Sequence, residues 1–322
     1  MSIINKHAYL IMAHTNFHQL GTLLKLLDDE RNDIFLFIDQ KVPLTIEIIE
    51  FLNKCCTQSI LNFTKRHTVH WGGYSTIKAE IELFKCASKG NYKYYHLLSG
   101  MDLPLHNQDY IHAFFEKNEG KEFFTFTGKR ICDKKHPEDR IKYYYFFQNI
   151  SYNLFIDRWL KKISSILFIP IQKIIHINRI SSYYKRLGYG SSWVSVTNEF
   201  VHYLLLQEDE IIKHYKFTWC ADEIYKHTYL INSQFKSNIF IDDGVNDKKR
   251  DRQGNCRYIN WWTGSPHIWT IDDKDELLSA KNRGYLFSRK FNEKIDSKII
   301  EFIVKMVNDE NFCQNAEIIE IF

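Results

Sequence analysis

The stretch Tyr94-Tyr95-His96-Leu97-Leu98-Ser99-Gly100-Met101-Asp102-Leu103-Pro104-Leu105 constrains this chain more than any other. Its first half is an aromatic and aliphatic run without a break, which predicts a strand buried on both faces. The run stops at Ser99-Gly100, and a lone carboxylate, Asp102, follows three residues after the serine. Pro104 forbids further pairing in a sheet interior, and Asn107 can cap a helix over 108–116. Open α/β sheets place ligands where a buried strand delivers a polar turn at its carboxyl end. An ordinary strand-to-helix turn with a capping Asp fits the same residues.

Two more strands precede it. Residues 7–13 (HAYLIMA) and 33–39 (DIFLFID) are apolar runs, separated by a helical pattern through Leu20, Leu23, Leu24 and Leu27. This β-α-β opening suits a nucleotide-binding half-sheet, but it carries no G-x-G-x-x-G, so a dinucleotide cofactor is not expected. Upstream of the central run, His70-Trp71-Gly72-Gly73-Tyr74-Ser75 leads into a helix with Ile77, Ile81 and Phe84 at helical spacing.

The composite HWGGYSTIKAE followed by YYHLLSGMDLPL resembles the branching glycosyltransferase family. That family contains the core-2 and I-branching β-1,6-N-acetylglucosaminyltransferases and the peptide O-xylosyltransferases. Later segments fit in the same order: Gly190-Ser191-Ser192-Trp193 before a strand over 194–197, Asp222-Glu223, Arg257-Tyr258-Ile259-Asn260-Trp261 with Gly264-Ser265-Pro266-His267, and Leu286-Phe287-Ser288-Arg289-Lys290-Phe291. Asn260 stands where the pattern usually has Asp.

The resemblance implies a single α/β domain of GT-A-like fold over 1–322, with a mixed, mostly parallel sheet flanked by helices. Residues 1–130 would form the nucleotide-binding half and 131–322 the acceptor-binding and catalytic half. It implies a UDP-sugar as donor, contacted by His14, Asp39, Ser99 and Asp102. Glu223 would be the general base, with Trp193, Asp222 and Arg257 on the acceptor side. Arg289 and Lys290 would bind the pyrophosphate in place of a metal, a role that a planar guanidinium and a point charge can fill. No metal and no cofactor are expected. The literal Asp273-Lys274-Asp275 follows Thr270 and opens a helix, so capping explains it better than metal binding. An acceptor hydroxyl is a poor nucleophile until a carboxylate takes its proton, and one base without a nucleophilic carboxylate fits inversion to a β-glycoside.

Composition supports an ordinary globular protein, with 44% hydrophobic and 25% charged residues. A net charge of +4 argues against a nucleic-acid partner. The seven cysteines show no C-x-x-C and no zinc-type spacing, which reads as reduced thiols. With no signal-peptide pattern and no span of about 18 apolar residues, a cytoplasmic bacterial enzyme is expected. Residues 141–186 hold eight Lys/Arg against the single acid Asp157, interleaved with large apolar residues. They form either covering helices with basic outer faces or a surface for anionic membrane, where a lipid-linked glycan acceptor would sit. Residues 243–256 are expected to be a mobile loop near the acceptor, 122–126 a further strand, 293–308 a helix and 317–322 a strand. A non-catalytic sugar-binding or scaffolding protein of a polysaccharide assembly is the alternative. It has no need of both a base and a pyrophosphate clamp.

Overall fold

The computed structural model describes residues 6–149, 159, 162–180, 186–263 and 266–309. The segment 317–322, Gly264-Ser265 and part of 141–186 lie outside them.

The apolar runs become strands β1 (His7–Ala13), β2 (Asn32–Ile38), β3 (Ile60–Phe63) and β4 (Tyr94–Ser99), followed by β5 (Asp102–Pro104), β6 (Phe126–Thr127) and β7 (Ser195–Thr197). The central sheet runs β3-β2-β1-β4-β7, with every pair parallel except the antiparallel β4–β7 edge. Side chains alternate across it. Tyr9 and Ile11 of β1, Ile34 and Leu36 of β2 and Leu98 of β4 enter one core. Ala8 and Leu10, Phe35 and Phe37, and Tyr95 and Leu97 enter the other. Both faces are therefore covered, which is why these strands are apolar throughout. Each fully buried Leu, Ile or Phe contributes about 1.5–3 kcal/mol.

Helix Phe17–Leu27 lies on the first face, and helix Tyr74–Ala87 on the second, burying Ile77, Ile81 and Phe84. Asn107 caps the helix Gln108–Lys117 as expected, its Oδ1 accepting from the Tyr110 N–H at 3.0 Å. The architecture is the mixed, mostly parallel α/β arrangement foreseen for a GT-A-like chain.

A second sheet positions the chemistry. After β8 (Gly244–Val245), β9 (Arg257–Ile259) and β10 (Phe287–Arg289) assemble with β5 in the order β5-β10-β9. Asp102 pairs in register with Arg289, and Pro104 with Phe287 on the edge strand β5. Pro104 thus sits where a missing N–H is tolerated.

Three expectations change. Residues 122–126 are not one continuous strand: Glu122 and Phe123 make isolated bridges before β6. The 243–256 stretch is pinned at both ends, by β8 pairing with β6 and by the Asn255 N–H donating to Thr125 Oγ1 at 3.0 Å. The last described helix starts at Ser297, capped by Asp296, rather than at 293.

Candidate active site

The site begins at the turn after β4. Ser99 N–H donates to Asp102 Oδ2 at 3.0 Å, and Met101 N–H to Ser99 Oγ at 3.2 Å. Asp102 is buried, and its other oxygen accepts from Arg289 at 2.9 Å. Burial pushes the Asp102 carboxyl above its ordinary value, against the pull of Arg289. Both carboxylate oxygens are thus used inside the protein, and the expected donor contact becomes a buried anchor for the arginine.

The Arg289 guanidinium lies 4.5 Å from the centre of the Trp193 ring. The expected sugar platform therefore carries a cation on one face. Beside Trp193, the Ser192 hydroxyl donates to Asp222 Oδ2 at 2.7 Å. Asp222 and Glu223 lie in a short 3-10 turn, Ala221–Glu223, ahead of helix Tyr225–Ile231. The Asp222 carboxylate takes the Ser192 hydroxyl and makes no helix-cap bond.

Glu223 Oε2 accepts from Arg140 at 2.6 Å, and Oε1 accepts from no described residue. Burial and the neighbouring Asp222 raise the Glu223 carboxyl above its ordinary value, and Arg140 opposes them. Arg140 is itself held between the rings of Tyr189 (5.1 Å) and Trp219 (5.3 Å). The backbone of the turn is fastened too. Glu223 C=O accepts from the Gly190 N–H at 3.0 Å. Gly190 passes so close to Thr125 that a Cβ would stand 1.9 Å from its carbonyl oxygen. Below the turn, Lys226 and the Tyr225 hydroxyl both donate to the buried Glu80, and Lys226 also reaches Asp222 C=O at 3.2 Å.

The HWGG segment supports the same turn. Gly72 has φ of +74°, and its C=O accepts from the Cys220 N–H at 2.8 Å. A Cβ there would meet the Trp219 indole at 2.8 Å, so glycine is required both for its backbone angle and for space.

On the other flank, Asp39 Oδ1 accepts the N–H groups of Lys41 (3.0 Å) and Val69 (3.3 Å), and Oδ2 pairs with Lys41 at 3.4 Å. His14 follows β1. Partial burial lowers its imidazole below the ordinary value, Asp39 pulls it up, and Lys290, Lys41 and Arg289 push it down. His14 at the end of β1 thus lies in the fields of Asp39, at the end of β2, and of the Arg289-Lys290 pair. The Lys290 ammonium makes no hydrogen bond or ion pair with a described residue, and burial together with Arg289 lowers its pKa.

A family model described as "Core-2/I-Branching enzyme" matches residues 7–275. This chain belongs to that family. Among curated proteins, xylosyltransferase 2 of Rattus norvegicus and of Homo sapiens are each 22% identical over 321 residues. The match covers 92% of this chain, which spans about a third (33%) of the length of those relatives. Among solved structures, core-mannan synthase A of Aspergillus fumigatus in its Mn/GDP form has a TM-score of 0.35 at 13% identity, covering 72% of this chain and 71% of that one. Mouse xyloside xylosyltransferase 1 in its apo form has 0.34 at 12%, covering 88% and 96%.

In this core-2/I-branching enzyme family member, Ser99, Asp102, Arg289, Trp193, Asp222 and Glu223 fall along one continuous line of contacts. His14, Asp39 and Lys290 flank it. Arg257 does not join them. Its side chain is 1% exposed and donates to the carbonyls of Asn255, Leu97 and Val194 and to Ser195 Oγ, locking β9 to β4 and β7. The Asp273 carboxylate closes a capping box with Thr270 and takes His267 at 2.9 Å, as the capping explanation required. Sequence reasoning missed Arg140, Tyr189, Glu80 and Lys226. Arg140 stood at the head of the basic stretch, where only its charge was legible.

Proposed function

We propose that the chain is an inverting, metal-independent glycosyltransferase. It moves a sugar from UDP to a hydroxyl of an acceptor glycan and forms a β-linkage. The donor sugar is N-acetylglucosamine, as in the β-1,6-N-acetylglucosaminyltransferases, or xylose, as the named relatives suggest. The setting is synthesis of a bacterial surface polysaccharide, in the cytoplasm and peripherally at the inner face of the plasma membrane.

The supporting observation is the line of contacts from Asp102 through Arg289, Trp193, Ser192 and Asp222 to Glu223. A cationic pair stands at one end, and at the other a carboxylate with one oxygen that accepts from no described residue, which suits leaving-group and nucleophile sides of one displacement. The acceptor oxygen attacks the anomeric carbon while Glu223 takes its proton, and the bond to the UDP oxygen breaks. The charge that develops on the diphosphate falls to Arg289, oriented before reaction by Asp102 and Trp193, and to Lys290. Lys290, without an acceptor among the described residues, is the donor left over for a phosphate.

The test screens UDP-sugars by thermal shift and then measures turnover in EDTA. Activity should survive EDTA. Lys290→Ala should lose donor affinity and turnover together, and magnesium or manganese should not restore either. Loss in EDTA with recovery on manganese would overturn the metal-free step. A UDP-sugar that binds but is never transferred to any acceptor would favour the sugar-binding protein instead.

A further inference from the structure

Fourteen large hydrophobic side chains are exposed among the described residues, and six of them crowd into 159–175: Trp159, Ile166, Leu167, Ile171, Ile174 and Ile175. Ile166 and Leu167 ride on a π-helical turn, Ser164–Phe168, and Ile171 and Ile174 on the helix Ile169–Ile174 that continues it, with Ile175 at its end. The spacing Leu167, Ile171, Ile174 puts three of them on one face. The opposite face is bound to the protein. Gln172 is buried and grips the Tyr144 backbone at both ends, accepting its N–H at 2.7 Å and donating to its C=O at 3.0 Å. The Phe168 ring packs 5.5 Å from Phe146, which in turn lies 6.0 Å from the exposed Phe217. The apolar face is therefore held outward by specific contacts.

Its charge has one sign. Residues 159–180 contain four Lys/Arg and no Asp or Glu. Lys162, Lys173 and, beside Phe217, Lys216 are exposed and form no ion pair with a described residue. On the neighbouring helix Glu208–Tyr215, Glu208 pairs with Lys85, and Glu210 with Lys213 and His214. An apolar stripe rimmed by unneutralised lysines is complementary to a lipid interface with anionic headgroups. A second copy of the chain fits poorly, because a two-fold interface would set the same lysines against themselves.

We propose that this face, Ile166 to Ile175 with Phe217, seats the enzyme on an anionic membrane surface. Membrane binding itself was an expectation of the sequence; the seat and its orientation come from the structure. Tyr143–Phe147, which carries the patch, continues from the helix Asp139–Lys142 that presents Arg140 to Glu223. Resting on the glycosyltransferase reading, the seat therefore brings a lipid-linked acceptor to the side of the cleft that holds the base.

Co-sedimentation of the full chain with vesicles tests it. Phosphatidylcholine vesicles containing phosphatidylglycerol should retain the protein, pure phosphatidylcholine should not, and retention should weaken as salt rises. Lys162→Gln and Lys173→Gln should each lower partitioning about fivefold, equivalent to about 1 kcal/mol per charge. Ile171→Ser with Ile174→Ser should lower it by about tenfold or more. All these variants should keep the wild-type thermal shift with UDP and the wild-type turnover on a soluble acceptor. No retention on anionic vesicles at low salt would overturn the proposal. So would Ile171→Ser/Ile174→Ser dissociating a dimer with vesicle retention unchanged. Because vesicle retention needs no donor sugar, failure of the glycosyltransferase reading would show separately, as absent transfer with retention intact.

Discussion

Two glutamate–cation pairs flank the turn Ala221–Glu223, and they are built for opposite ends. Glu80 and Lys226 are each 1% exposed. The Tyr225 hydroxyl joins Lys226 on Glu80 Oε2, and Lys226 also reaches the Asp222 carbonyl, so the pair is buried among contacts of the protein itself. Burial pushes the Glu80 carboxyl up to about 7, against the pull of Lys226. Glu223 and Arg140 remain 32% and 14% exposed, and Glu223 Oε1 accepts from no described residue. The first pair fixes where the turn sits. The second holds a carboxylate in place while leaving it able to take a proton. The same two residue types thus suit structure or, in the proposed reading, chemistry according to solvent access.

Exchange at each pair separates the roles, and the largest effect belongs to the cleft. Glu223→Gln keeps the shape and removes the proton acceptor, so turnover should fall about 10²–10⁴-fold while UDP binding and the melting temperature stay near wild type. Near-normal turnover in this variant would remove the base from Glu223.

Next in size is the buried pair. Lys226→Met leaves Glu80 in the core without its cation, and unfolding in urea should show a loss of about 3–5 kcal/mol. Replacing both residues, Glu80→Leu with Lys226→Met, should recover much of that loss, since the burial cost of the charges disappears with them. A double variant as unstable as the single one would mean that Glu80 acts through other contacts.

The smallest effect is a displacement in pH. As the proposed base, Glu223 would work ionised, so kcat/KM should rise with pH through its carboxyl pKa, which burial and Asp222 have already raised. Arg140 opposes that rise, so Arg140→Gln should carry the acidic limb to higher pH, with plateau activity reduced much less than in Glu223→Gln. An acidic limb that stays in place, measured on the soluble acceptor, would separate Arg140 from the ionisation of Glu223.

Much was legible without coordinates, for local reasons. Strands β1, β2 and β4 are apolar at consecutive positions, and only burial on two faces makes such a pattern stable. Asn107 and Thr270 announced their helix starts because a cap acts within three residues of itself. Glu223, Asp102, Arg289 and Trp193 could be singled out because each sits in a short motif of its own.

What those motifs mean to one another was decided by tertiary structure. Arg140 meets Glu223 across 83 positions, and Arg289 meets Asp102 across 187. No local spacing encodes such pairs. Arg257 shows the converse: a motif arginine that reads as a ligand contact is spent on three backbone carbonyls at the buried junction of β4, β7 and β9. The basic stretch offered two readings that its composition could not separate. Gln172 decided which face turns inward, since its amide satisfies the Tyr144 backbone and so leaves Ile171 and Ile174 facing out. Composition sets what a segment can bury, but the partner's position decides which side of it is buried.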